Sequence, residues 1–115
     1  MYLRTLGKLD LEGSELRRPK LLLLLAYLAI EGPKSRRHLA ELLWPDAANA
    51  ATSVRMALRQ VRLDAPLALV DASEPVRLAI PCDATEFLAR LDAGDVTTAV
   101  GLYDGPFMPG FLLPG

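Results

Sequence analysis

Residues 35–63 constrain this chain more than any other stretch. Two helical patterns meet there at Trp44-Pro45, and the second must bury one side only. Val54, Ala57, Leu58 and Val61 recur at the spacing of a single helix face, so they predict an apolar stripe packed on a core. Arg55, Arg59 and Arg62 recur at i, i+4 and i+7, well away from that stripe, and no acid lies between Asp46 and Asp64. A helix of this kind is built to meet an anion. The phosphate-lined major groove of DNA is the expected partner.

Neighbouring segments place that helix in a larger unit. Pro19 suits the first turn of a helix and Gly32-Pro33 a stop, which predicts a leucine-rich helix over about 19–31 covered on most sides. Ser35 is the expected N-cap of a second helix, with Leu39, Leu42 and Leu43 packing on the first. Asp46 or Asn49 caps the third, expected over about 47–63, and Pro66 prevents its extension. At the N-terminus, Leu9 and Leu11 alternate with charged residues. Together with Tyr2 to Leu6 and the stretch before Leu16, they predict an antiparallel meander of three short strands. Leu67–Val70 and Val76–Ile80 predict a hairpin, the wing of a winged helix.

Charge divides the chain. Residues 1–62 hold 11 Lys/Arg against 6 Asp/Glu, a net of +5, whereas residues 63–115 hold 2 against 8, a net of −6. A basic part facing nucleic acid followed by an acidic part with another task is the expected reading. In the acidic part, Phe87, Leu88 and Leu91 stripe one helix, and Val96, Ala99, Val100 and Tyr103 another across Gly94. Its acids are expected on helix surfaces, and residues 105–115 are expected to be irregular.

The single Cys82 excludes an internal disulfide framework and fits a reducing compartment. The apolar run 21–30 lies late, after Asp10, Glu12 and Glu15, and is too short to span a bilayer, so a cytoplasmic chain without membrane attachment is expected. His38 has no second metal ligand nearby, and Trp44 is expected at the core. Without a Gly-rich phosphate loop or a Ser/His/Asp arrangement, no enzyme and no cofactor are expected.

The order of these elements, with certain words in it, resembles a known family. Arg18-Pro19-Lys20 opens the leucine-rich helix, and Ser35-Arg36 leads to Leu39-Ala40-Glu41-Leu42-Leu43-Trp44-Pro45-Asp46. Ser53 to Arg59, Asp83 with Phe87, and Tyr103-Asp104-Gly105-Pro106-Phe107 follow. The chain looks like the N-terminal part of the SARP-type bacterial transcriptional activators. The resemblance implies an OmpR-type winged helix-turn-helix followed by the start of the bacterial transcriptional activation domain, a helical region similar to tetratricopeptide repeats. It implies a regulator that binds promoter repeats in double-stranded DNA, usually as a tandem pair, and helps recruit RNA polymerase. In that family further helical repeats follow, whereas one helix pair is seen here.

The expected architecture is therefore α+β: a winged helix with N-terminal antiparallel strands over residues 1–81, then a short tetratricopeptide-like helix pair over 82–115. Arg55 and Arg59, with Thr52 and Met56, are expected at base edges and phosphates. Arg62, Ser53 and Gln60 are expected nearer the backbone. Lys34, Arg36 and Arg37, and with less weight Arg17, Arg18 and Lys20, suit phosphates at helix starts. Arg77 is the one wing cation, and Asp71 and Glu74 at the wing tip weigh against minor-groove reading. One helix pair of repeat type cannot bury its own apolar face. With Phe107, Met108, Phe111, Leu112 and Leu113 behind it, self-association or docking on the first part is expected. The other reading is a protein-interaction module whose basic face meets an acidic partner, or a truncated activator that keeps the fold but has lost full activator function, in either case without a specific DNA target of its own.

Overall fold

A computed structural model of the chain describes residues 1–70, 74–103 and 105. Its elements run β1 (Tyr2–Arg4), β2 (Asp10–Glu12), α1 (Pro19–Glu31), α2 (Arg36–Leu43), α3 (Ala50–Asp64), β3 (Leu69–Val70), β4 (Arg77–Leu78), α4 (Asp83–Asp92) and α5 (Val96–Leu102). The class is α+β. Expectations for Asp71 and for Phe107, Met108, Phe111, Leu112 and Leu113 lie outside the described residues.

Helix α1 spans the predicted residues. Pro19 sits in its first turn, and Gly32, at φ 83°, donates its N–H to the Leu28 carbonyl in a conformation that L side chains rarely adopt. Leu21 to Ala26 and Leu28 are all buried, as a helix apolar on nearly every side requires. Each leucine so buried contributes about 1.5–3 kcal/mol. Around it gather Leu39, Ala40 and Leu43 of α2 and Val54, Ala57, Leu58 and Val61 of α3, so the predicted stripe of α3 is the buried one.

Two corrections concern boundaries. Helix α3 begins at Ala50 rather than 47: Asn49 is the cap, its side-chain oxygen taking the Thr52 N–H at 3.2 Å, and residues 45–49 form the turn. The N-terminal sheet has two strands, not three, with Tyr2 opposite Glu12 and Arg4 opposite Asp10. The segment before Leu16 is instead held by Ser14. Its hydroxyl donates to the Asp64 carbonyl at 2.8 Å and accepts the Leu16 N–H at 3.0 Å, fastening the N-terminal region to the end of α3. The other edge of β1 is met from far along the chain, where Leu3 bridges Cys82 in parallel and donates its N–H to the Pro81 carbonyl.

Strands β3 and β4 pair antiparallel, Leu69 opposite Leu78 and Val70 opposite Arg77. Val76 also exchanges both backbone hydrogen bonds with Lys34, at 2.8 and 3.0 Å, which ties the hairpin to the link between α1 and α2. Among the described residues no helix is long and apolar enough to cross a membrane.

Candidate nucleic-acid interface

The outer side of α3 is set by the burial of its inner side. With Val54, Ala57, Leu58 and Val61 fixed in the core, 3.6-residue periodicity turns Arg55, Met56, Arg59, Arg62 and Leu63 outward, and all five are exposed. Arg55 and Arg59 stand one turn apart and form no ion pair among the described residues. Thr52 and Ser53 are half-buried at the start of the same helix, and Ser53 Oγ bonds back to the Asn49 carbonyl at 3.4 Å. Gln60 is held by its neighbour: Nε2 donates to the Asp64 carboxylate at 2.8 Å.

The cations at the start of α2 have a different environment. Ser35 caps the helix, accepting the His38 N–H at 3.1 Å. Glu74 adds a second cap from the hairpin: its carboxylate accepts the Arg36 backbone N–H at 3.2 Å and pairs with the Arg36 guanidinium at 3.2 Å. An anion at a helix start is favoured by the exposed amides and the positive end of the dipole. Glu74 is thus a helix anchor, a role the sequence did not disclose. Arg37 pairs with Glu41 one turn on, at 3.3 Å, an exposed contact of small energetic weight. Lys34 contributes its backbone to the hairpin, and Arg77 is exposed on β4. The structure therefore separates the predicted site residues. Arg55, Met56 and Arg59 present a continuous outer face, while Arg36 and Arg37 are joined to carboxylates.

Arg18 and Lys20, given less weight in the sequence, lie beside α3. With Trp44, Ser53, Met56 and Gln60 they line a cavity of 340 Å³. Lys20 Nζ stands 5.1 Å from the centre of the Trp44 ring, a cation–π contact that gives the half-buried indole its role. Arg17 turns to the Ser14 and Leu16 carbonyls and lies 3.8 Å from Asp10. His38 stacks on Tyr27 with a 2.6 Å hydrogen bond between the hydroxyl and Nε2, a surface contact between α1 and α2.

One important residue was misread. Asp83 is not on a helix surface but buried at 2% exposure. Its Oδ1 accepts the Thr5 N–H at 2.7 Å, the Thr5 hydroxyl at 2.8 Å and the Ala84 N–H at 2.8 Å, and its Oδ2 accepts the Leu6 N–H at 3.0 Å. The Arg4 guanidinium stands 3.8 Å away. This carboxylate fastens α4 to the N-terminal strand. Tyr2 reinforces the joint by donating its hydroxyl to Glu86 at 3.0 Å, and burial together with that carboxylate pushes the phenol up. Burial likewise pushes the Cys82 thiol up. An acid opening a helix was visible in the sequence, but its partner 78 positions upstream was not.

Comparison of the chain with protein-family models, with curated proteins and with solved structures finds no match.

Proposed function

We propose that this chain is a sequence-specific DNA-binding regulator of transcription. In this reading the unit from α1 to β4 is a winged helix-turn-helix, α3 is its recognition helix in the major groove, and Arg77 on the hairpin lies along the backbone. A single observation carries it: Arg55 and Arg59 stand exposed one turn apart, without a carboxylate partner among the described residues, on a helix whose opposite side is core. Unpaired guanidinium groups held on a rigid helix are suited to guanine edges and phosphates. Promoter repeats in double-stranded DNA and RNA polymerase are the partners this reading brings with it, the second through the acidic helix pair.

Selection of bound sequences from a random DNA pool at two salt concentrations tests the reading. A short repeated motif should be enriched, and binding should weaken as salt rises. Against the enriched site, Arg59→Ala and Arg55→Ala should each lose about 1–3 kcal/mol of discrimination with the fold intact. Equal binding by parent and variants would remove α3 from the interface. The exposed apolar side chains of α4 and α5 favour a second reading as a protein-interaction module, for which no motif would be enriched.

A further inference from the structure

We infer that the cavity between the start of α1 and the flank of α3 is a docking point for one phosphate of the DNA backbone, so that α1 acts as a second anchor on the duplex. The inference rests on the DNA-binding reading and adds to it a site on a different helix. Arg18 and Lys20 come from α1, Ser53, Met56 and Gln60 from α3, and Trp44 from the end of α2. No carboxylate lines the cavity, and neither cation has an ion pair among the described residues.

The two cations are not equivalent. Lys20, an exposed residue, has its ammonium held over the Trp44 ring, which fixes the position of that charge at the cavity wall. Arg18 is exposed at the other wall. Arg17, between them and the N-terminal region, is turned away by its bonds to the Ser14 and Leu16 carbonyls. The volume of 340 Å³ is about tenfold a water molecule's share of the liquid, roughly 30 Å³, which is space enough for a phosphodiester group. Position supports the assignment. Ser53 and Gln60 lie roughly a third of a turn around α3 from Arg55 and Arg59, so a strand bordering the groove that α3 enters passes over this flank.

The test compares Arg18→Gln/Lys20→Met with the parent on an enriched site and on random duplex. Both positions are exposed, so the fold should be kept, which circular dichroism checks. The slope of log affinity against log salt should fall in magnitude by about 0.9, the value for one phosphate, with the same fold-loss on both DNAs. Lys20→Arg alone should keep the parent slope. An unchanged slope, with Arg59→Ala still weakening binding, overturns the docking point and leaves the DNA reading standing. A larger loss on the enriched site than on random duplex also overturns it, because the cations would then read bases. Parent protein that binds neither DNA overturns both readings together.

Discussion

Helices α3 and α4 carry the same kind of pattern, apolar residues three and four apart on a polar background, but the fold uses them differently. In α3 the stripe is sealed: Val54, Leu58 and Val61 are each at most 1% exposed. In α4 Phe87 is half-buried, while Leu88 is 52% and Leu91 42% exposed. Helix α5 follows α4, with Ala99 buried and Val96 and Val100 exposed. The difference lies in what attaches each helix. Four side chains of α3, packed on α2 in the core, hold that helix, whereas α4 sets Ala84 and part of Phe87 against the core and is fastened at its first turn by the Asp83 carboxylate and by Tyr2 on Glu86. Periodicity reports which side of a helix is apolar. It does not report whether anything covers that side.

The largest expected effect separates the two stripes directly. Leu58→Ala should cost about 3–4 kcal/mol, the transfer free energy of the lost methyl groups plus the cavity left among packed neighbours. Leu88→Ala should stay within about 0.5 kcal/mol, as expected for a side chain half in water. Urea unfolding of the two variants beside the parent measures both. Comparable losses would mean that α4 is covered in solution, and the contrast would disappear.

What the sequence disclosed follows the same division. Local signals were readable because their causes are local: Pro19 and Gly32 bound α1, Ser35 caps α2, and the spacing of Val54, Ala57, Leu58 and Val61 identifies the inner side of α3. The exposure of Arg55 and Arg59 follows from that spacing alone. Interactions across the chain were not readable. Glu74 reaches Arg36 over 38 positions and Asp83 reaches Thr5 over 78, and nothing in either neighbourhood names the partner. The third N-terminal strand failed for a related reason. Burial of Leu16 needs only that it face the core, and the Ser14 hydroxyl satisfies the local backbone without a ladder.

A smaller effect tests the polar attachment. Asp83→Ala should cost about 2–3 kcal/mol, since the Thr5 and Leu6 N–H groups lose an acceptor inside the protein. Thr5→Val, which removes only the hydroxyl contact, should cost about 1 kcal/mol. Hydrogen exchange should show Asp83→Ala releasing the amides of α4 well before those of α3. Simultaneous release of both helices would show that α4 is part of the same cooperative unit, held by more than its first turn.

The smallest effect concerns pH and again divides the two halves. Helix α3 is capped by the neutral Asn49 amide, which does not titrate, while α5 is capped by Asp95, whose side chain accepts the Thr98 N–H at 3.2 Å. The contacts with Thr98, above all, hold the Asp95 carboxyl below its usual range. A carboxyl depressed by folding stabilises fully above its unfolded pKa of about 3.9, and that contribution is lost as pH falls through the lower folded value. Acidification from pH 5 towards pH 3 should therefore loosen the start of α5 and lower the protection factor of the Thr98 amide (its exchange rate relative to the intrinsic rate at the same pH), with no matching change at Thr52. Asp95→Asn keeps an acceptor without the titration and should flatten the response at Thr98. If Thr98 in that variant still responds to acid as in the parent, the sensitivity of α5 comes from its contacts with α4 and not from its cap.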